Sequence, residues 1–227
     1  MCGIVGYTGK QSVAKQILDA LELLEYRGYD SAGMAIVDET NGQVQIRKRA
    51  GRVADLEKVW KANPVNGICG IGHTRWATHG GVSDVNAHPH RAGRVTLVHN
   101  GIIENYEELK DHFGLADELI SDTDSEVVAA VLNRFYTGDP HEALFQTVKC
   151  LKGTFALVVI FDDIPDVIFA IRNVSPIVAA YREDGTMLAS DVAALGGQAT
   201  SYMVVPEYHV VELHTDDIRV YNMKNEL

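Results

Sequence analysis

Cysteine is scarce in this 227-residue chain, which contains three, at Cys2, Cys69 and Cys150. An odd number of widely spaced cysteines does not form a disulfide framework. No Cys-x-x-Cys pair is present for zinc or redox chemistry. The chain also lacks a basic run, and its net charge is −11, which argues against a nucleic-acid-binding surface.

Long apolar runs are missing as well. Stretches such as "FALVVIF" are too short to cross a bilayer. The opening "MCGIVGY" has neither a charged leader nor a long apolar stretch, so we expect no signal peptide, no membrane contact and a cytoplasmic location. With 46% hydrophobic and 22% charged residues, the composition is that of a globular protein with one large or two small domains.

Strand patterns occur at both ends of the chain, with helical patterns between them. "CGIVGYTG" predicts a buried strand, and Val13, Ile17, Leu21 and Leu24 share one face of the helix that follows. The Asn-Gly pair in "TNGQ" predicts a hairpin between "GMAIVDE" and "QVQIRKR". Further helices are predicted at "VADLEKVW", "NYEELKDHF", "TDSEVVAAVLNRFY" and "DPHEALFQTVKCL". This order predicts an α+β fold in which two antiparallel sheets lie between layers of helices.

Cys2 directly follows Met1, which is an unusual place for a cysteine that only fills a core. A lone cysteine is most often a small buried hydrophobe, and that interpretation suits Cys69 and Cys150. For Cys2, removal of Met1 would leave a free amine on the residue that carries the thiol. Such an amine has a pKa of about 7.7–8.0 and is able to act as the base for its own thiol.

The segment "GHTRWATHGG" contains a candidate ligand-binding loop. Arg75 offers a planar fork for a carboxylate, Trp76 offers a surface that covers a small ligand, and Gly80 and Gly81 offer hinges. The alternative is an exposed loop whose arginine is solvated.

Two polar positions follow the next strand pattern. Asn100 and Gly101 in "LVHNGIIEN" are predicted at a strand end, either as a simple turn or as two donors of an oxyanion hole. Asp124 is predicted at a helix start, where it either favours the helix dipole or binds a ligand ammonium group.

A metal site is the weaker interpretation of His73, His79, His88 and His90. Their spacing matches no zinc motif, and no acidic residue closely accompanies "HPH". Taken together, the thiol, the carboxylate binder, the ammonium binder and the oxyanion hole indicate an amino-acid-like substrate, and glutamine fits.

Six segments carry a resemblance to a known family: "MCGIVGY", "LEYRGYDSAG", "GHTRWATHG", "AHPH", "LVHNGIIENYEEL" and "SDTDSEV". They resemble the glutaminase domain of the glucosamine-6-phosphate synthase family, which belongs to the N-terminal-nucleophile amidotransferases. The resemblance covers the whole chain and is strongest up to about residue 130. It implies a four-layer αββα sandwich.

The resemblance also implies roles for individual residues, with no cofactor and no metal. Cys2 would be the nucleophile, with its freed amine as the base. The other catalytic positions would be Arg27 and Gly28, which support the catalytic amine and loop, and the oxyanion-hole residues Asn100 and Gly101. The substrate-binding positions would be Arg75, Trp76, Thr78, His79, Gly101 and Asp124.

What surrounds this domain is also an expectation from the resemblance. Residues 1–227 would form the glutaminase domain, and a C-terminal isomerase domain that binds fructose 6-phosphate and uses the ammonia would be absent from this chain. A homodimer is possible. The alternatives are the glutaminase domain of a phosphoribosyl-pyrophosphate or asparagine-type amidotransferase, and a non-catalytic glutamine-binding module.

Overall fold

A computed structural model describes residues 2–77 and 80–227. In chain order, its elements are β1 (Gly3–Gly9), α1 (Val13–Leu24), β2 (Ser31–Val37), β3 (Val44–Ala50), α2 (Val53–Ala62), β4 (Cys69–Arg75), β5 (His90–Ala92), β6 (Val95–Ile103), α3 (Tyr106–Phe113), α4 (Asp124–Phe135), α5 (Pro140–Cys150), β7 (Gly153–Phe161), β8 (Ile164–Asn173), β9 (Val178–Arg182), β10 (Gly185–Ala189), β11 (Ala199–Val204), β12 (Val210–Leu213) and β13 (Ile218–Tyr221). Short 3₁₀ turns lie at Glu25–Arg27 and Val192–Leu195.

The strands form two sheets whose neighbours all pair antiparallel. The first sheet has the order β11-β9-β10-β1-β4-β2-β3, and the second has the order β13-β12-β8-β7-β6-β5. No helix in the described part of the chain is both long and apolar enough to span a membrane.

Three apolar clusters separate four layers. One cluster joins α1 and α2 to the first sheet, and another joins α3, α4 and α5 to the second sheet. The third lies between the sheets and includes Ile4, Ile71, Val98, Val158 and Leu188. The predicted α+β sandwich of two antiparallel sheets between helix layers is therefore confirmed.

The first strand lies in the middle of its sheet, between β10 and β4. All seven residues of β1 are buried, which explains why "GIVGYTG" has no polar alternation. Gly3 lets the strand lie close to α1, because a Cβ there would lie 2.8 Å from the Cβ of Leu24. The residue before Gly3 is thereby held at the end of a central, immobilised strand.

Local sequence signals account for the predicted hairpin and for the helix starts. The hairpin forms as predicted, with Val37 opposite Val44. At the start of α4, the Thr123 side chain accepts a hydrogen bond from the Glu126 N–H. The Glu126 carboxylate, however, binds the backbone of Ile120 and Ser121, so only half of the capping box forms.

One prediction about the backbone was wrong. Asn100 and Gly101 do not end a strand or form a turn, because β6 continues to Ile103 and remains paired with β7. Gly101 has a φ of +131°, and a Cβ there would lie 2.0 Å from the carbonyl oxygen of Thr154. The lack of a side chain at Gly101 thus permits the close contact between β6 and β7. The sequence analysis also missed β5 and β11, which are short or mostly exposed edge strands.

Candidate active site

The candidate nucleophile lies where the layer between the sheets opens to solvent. Cys2 precedes β1 and shares its inward face with Ile4, because side chains of a strand alternate. Its Sγ accepts a hydrogen bond from the Trp76 N–H at 3.2 Å. Burial raises the pKa of the Cys2 thiol, and the Trp76 hydrogen bond only partly opposes this effect. The thiol is therefore neutral at pH 7 and needs a base to become a nucleophile.

The second sheet supplies the candidate oxyanion donors. Asn100 shares the inward face of β6 with Val98, so its side chain points across to the first sheet. Its Nδ2 donates a hydrogen bond to the carbonyl oxygen of Cys2 at 3.1 Å. Asn100 and Gly101 line the same cavity as Cys2.

That cavity has a volume of about 330 Å³. Its other walls are Arg27, Trp76, Ile102, Thr154, Ser175, Pro176 and Ser190. Arg27 donates to the Ser190 carbonyl at 2.9 Å and pairs with Asp191 at 3.3 Å, so it fixes the wall beside the nucleophile. Gly28 ends the 3₁₀ turn that carries Arg27, and it lines neither this cavity nor the one described next.

A second, narrower cavity lies on the other side of Cys2, and opposite charges line it. Arg75, at the end of β4, and Asp124, at the start of α4, are both buried. Arg75 donates to the carbonyls of Gly80 and Gly81, each at 3.1 Å, and Asp124 accepts from the Ile103 N–H at 2.9 Å. A guanidinium and a carboxylate fixed in one cavity match the carboxylate and ammonium of an α-amino acid.

The exposed residue between the two cavities is Trp76. It lines both of them, and its side chain is 54% exposed. Thr78 and His79, which the sequence analysis placed beside it, lie outside the described residues.

Asp30 is a site residue that the sequence analysis missed. Its carboxylate accepts hydrogen bonds from the Ala77 N–H and from the Ser31 hydroxyl, and its own N–H donates to the Arg75 carbonyl at 3.0 Å. These contacts anchor the segment that carries Trp76 past the nucleophile. Asp30 lies within "YRGYDSAG", but nothing in that motif alone links it to residues 75–77.

Three of the histidines that were weighed as metal ligands, His73, His88 and His90, form a packed cluster. His73 stacks on His88 at 4.0 Å between ring centroids, and His88 meets the edge of His90 at 4.7 Å. Burial lowers the pKa of His73 to about 3 and the pKa of His88 and His90 well below the usual value. In the described part of the chain, no three His, Cys, Asp or Glu side chains are arranged to hold a metal ion.

The other two cysteines have ordinary structural surroundings. Cys69 is buried on β4, and burial raises the pKa of its thiol to about 12. Cys150 ends α5, and its thiol donates to the Gln146 carbonyl at 3.4 Å. Neither lines the two cavities beside Cys2.

Comparison with known proteins identifies the family of this chain. The model of the family described as "glutamine amidotransferase domain" matches residues 34–224. The chain belongs to this family. The sequence resemblance stated above is thereby confirmed at the level of the family.

Relatives of known name extend the match to the whole chain. The chain is 46% identical over 226 residues to the glutamine–fructose-6-phosphate aminotransferase (isomerizing) of Streptomyces coelicolor, with 97% of the chain and 36% of the relative covered. It is 42% identical over 231 residues to the Bacillus subtilis protein of the same name, with 100% and 38% covered. The chain thus spans less than two fifths of the length of these relatives.

Solved structures share the fold. The glutamine phosphoribosylpyrophosphate amidotransferase of B. subtilis, complexed with ADP and GMP, has a TM-score of 0.83 at 20% identity, with 100% of this chain and 50% of that chain covered. A glutamine aminotransferase class-II domain protein from Silicibacter pomeroyi has a TM-score of 0.67 at 17% identity, with 98% and 99% covered. At these identities the likeness shows the architecture alone.

Proposed function

We propose that this chain hydrolyses the side-chain amide of L-glutamine to glutamate and ammonia, with Cys2 as the nucleophile. The observation that carries this proposal is the placement of Cys2 between an apolar cavity and a cavity lined by Arg75 and Asp124. Arg75 would bind the substrate carboxylate and Asp124 its ammonium group. Together they would fix the substrate at the end remote from its amide, which then reaches Cys2.

The base would be the amine of Cys2 itself, freed by removal of Met1. This amine takes the thiol proton as Sγ bonds to the amide carbon, and the amide oxygen becomes an oxyanion. The Asn100 Nδ2 and the Gly101 N–H would donate to that oxygen. The amine then gives its proton to the departing nitrogen, which leaves as ammonia, and a thioester remains.

Water completes the reaction. The same amine takes a proton from the attacking water, the oxyanion forms again and the sulfur leaves. The products are glutamate and the regenerated thiol. Arg27 and Gly28 would support the catalytic amine and its loop, while Trp76, Thr78 and His79 would complete the substrate pocket.

The ammonia would be used by a second domain. The relatives named as fructose-6-phosphate aminotransferases are longer, which supports residues 1–227 as a glutaminase domain joined to a C-terminal isomerase domain. We propose transfer of the ammonia to fructose 6-phosphate there. A free thiol nucleophile also suits the reducing cytoplasm, where we place the protein.

The test is ammonia release from glutamine by this chain. We expect turnover in the unaltered protein and in Cys69→Ala, and none in Cys2→Ala, which should still bind glutamine in calorimetry. Binding without turnover in the unaltered, Met1-free protein would instead indicate a non-catalytic glutamine-binding module. Equal turnover with and without Cys2 would refute the assigned nucleophile.

A further inference from the structure

A buried histidine contacts the side chain of the candidate oxyanion donor, Asn100. The Nε2 of His73 lies 3.0 Å from the Oδ1 of Asn100 and 3.1 Å from the carbonyl oxygen of His99. We propose that His73 is a positioning residue that fixes which way the Asn100 amide points, so that its nitrogen faces Cys2. This inference rests on the proposed role of Asn100 as an oxyanion donor.

The backbone carbonyl of His99 determines which ring nitrogen of His73 carries a hydrogen. A carbonyl oxygen only accepts hydrogen bonds, so the His73 Nε2 facing it must carry a hydrogen. That hydrogen is shared between the His99 carbonyl and the Asn100 side chain. The Asn100 atom facing His73 is therefore the oxygen, and the amide nitrogen is turned towards Cys2. The His99 carbonyl oxygen is a main-chain atom, so its identity does not depend on how the Asn100 amide is oriented.

The surroundings of His73 keep its ring in a fixed orientation and neutral, with the hydrogen on Nε2. Its side chain is fully buried, and the ring of His88 stacks on it with an angle of 27° between the planes. Because burial disfavours the charged imidazolium, the ring is neutral at pH 7 and carries a single hydrogen, on Nε2. Among residues 2–77 and 80–227, its Nδ1 has no hydrogen-bond partner that would compete for the orientation of the ring.

His73 also links the strand beside the nucleophile to the strand of the donor. It lies on β4 directly opposite Ile4 of β1, two residues beyond Cys2. Its side chain crosses to β6 of the other sheet, where Asn100 lies. One hydrogen bond therefore sets the orientation of the donor relative to the strand that carries the sulfur.

Loss of this hydrogen bond should affect the reaction and not the binding of glutamine. Without it, the Asn100 amide can rotate and present its oxygen to the developing oxyanion, which repels the negative charge. Outer groups that orient a reacting group typically change activity about 10–100-fold. Because the oxyanion exists only during the reaction, kcat should fall while KM changes little.

Two substitutions of His73 distinguish the loss of the hydrogen bond from a change in side-chain volume. In His73→Gln, the side-chain amide nitrogen can take the place of Nε2 and donate to Asn100. In His73→Asn, the shorter side chain places its amide near the position of Nδ1, which has no partner. We expect kcat for glutamine hydrolysis to fall about 10–100-fold in His73→Asn and to recover most of that loss in His73→Gln. Cys69→Ala, on the same strand and face, is the control and should retain the original kcat.

A double variant tests whether His73 acts through Asn100. If it does, Asn100→Ala/His73→Asn should be no slower than Asn100→Ala, which should lose about 10²–10³-fold in kcat. Thermal melting of every variant shows whether the fold is retained, and comparisons are made below the lowest transition.

The outcomes separate this inference from the proposed function. Multiplicative losses in the double variant, or equal losses in His73→Gln and His73→Asn, would overturn the positioning role while leaving Asn100 as a donor. An unchanged kcat in Asn100→Ala would instead refute the oxyanion role itself. A fall in kcat for His73→Asn with recovery in His73→Gln and no further loss in the double variant supports the inference.

Discussion

The side-chain amide nitrogen of Asn100 lies 3.1 Å from the carbonyl oxygen of Cys2, although 98 residues separate them in the chain. Asn100 belongs to the second sheet, Cys2 directly precedes β1 of the first sheet, and both side chains face the layer between the sheets. An amide donor and a thiol are therefore brought together by the packing of one sheet on the other.

Thiol reactivity should single out Cys2. An electrophilic glutamine analogue should label this residue, and glutamine should protect it, because Cys2 lines both cavities. Cys69 is buried with the pKa of its thiol raised to about 12, so it should remain unlabelled in the folded protein. Peptide mapping by mass spectrometry measures the labelled position. Labelling centred on Cys69 or Cys150 would contradict the assignment.

The charge of Asp124 should select substrates with an α-ammonium group. Asp124→Asn keeps an oxygen that can accept from the Ile103 N–H but removes the negative charge. We expect KM for glutamine to rise about 10–100-fold, the worth of one hydrogen bond to a charged group, with a smaller change in kcat.

Glutaramate, which is glutamine without its α-amino group, provides the matched comparison for Asp124. The unaltered protein should hydrolyse glutamine with a higher kcat/KM than glutaramate, and Asp124→Asn should lose most of that preference. An undiminished preference would show that another group binds the ammonium. Arg75→Lys should raise KM for both substrates, because both retain the carboxylate.

Removal of Met1 should activate the protein. With Met1 attached, the nitrogen of Cys2 is an amide and has no available lone pair to accept the thiol proton. A general base typically contributes about 10²–10⁴-fold, so at least that loss is expected in the unprocessed form. Glutaminase rates of the two forms, each verified by intact mass, measure the effect. Similar rates would place the base elsewhere.

Gly101→Ala should destabilise the protein and remove its activity. A Cβ there would lie 2.0 Å from the Thr154 carbonyl oxygen, which is main chain and cannot rotate away. The positive φ alone costs about 1–3 kcal/mol. Gly114→Ala is the matched control, because Gly114 also has a positive φ, +64°, but a Cβ added there would have no atom of the described residues within 4 Å beyond its two chain neighbours.

Urea denaturation of the two glycine variants separates backbone strain from collision. Gly114→Ala should lose only the cost of the left-handed backbone, about 1–2 kcal/mol, and should keep its activity. Gly101→Ala should lose more. Equal losses would mean that β6 and β7 can separate at no extra cost.

A second cluster, remote from Cys2, should make stability depend on pH. The His141 Nε2 lies 2.7 Å from Glu212, and the His214 Nε2 lies 2.9 Å from the other oxygen of the same carboxylate. Burial lowers the pKa of His141, but its hydrogen bonds to Glu212 and Asn225 raise it by more, so the net shift is upward. Burial raises the pKa of Glu212, but its two histidine partners lower it by more, so the net shift is downward.

The signs of these shifts define the pH window. The His141 contribution is complete below the unfolded pKa of about 6.5 and is lost as pH rises through the folded value. The Glu212 contribution is complete above the unfolded pKa of about 4.3 and is lost as pH falls through the folded value. Glu212→Gln should therefore lower the unfolding free energy most at about pH 5–6, and less at pH 8–9.

Denaturation of this variant across the pH range measures the effect. Asp19→Asn, in the exposed pair with Lys15, is the control and should not show this pH dependence. A Glu212→Gln difference that is constant with pH would mean that the pair contributes only neutral hydrogen bonds.

Local signals explain which parts of the fold the sequence predicted. The buried strand β1, the Asn-Gly hairpin and the Thr123 cap each depend on neighbours in the sequence, and each is present. The strand end predicted at Asn100-Gly101 is absent because pairing with β7, more than 50 residues away, overrides the local preference for a turn.

The site residues also divide into those that the sequence predicted and those that depend on contacts between distant elements. The chemical types of Cys2, Arg75 and Asp124 and the family resemblance predicted these three site residues, and all three line one cavity. His73 was weighed as a metal ligand, and Asp30 was not singled out at all. Their contacts, with Asn100 and with Ala77, cross between elements, so no spacing within a motif encodes them.

The packing between the sheets therefore sets the distance between the candidate nucleophile and the candidate oxyanion donor. Ile4, Ile71 and Val98 line neither of the two cavities beside Cys2, yet their volumes set the distance between the sheet that follows Cys2 and the sheet that carries Asn100. A displacement of about 1 Å at a reacting group can cost about a hundredfold in rate. Natural selection on turnover would then act on these aliphatic side chains too, and their permitted sizes would be narrower than folding alone requires.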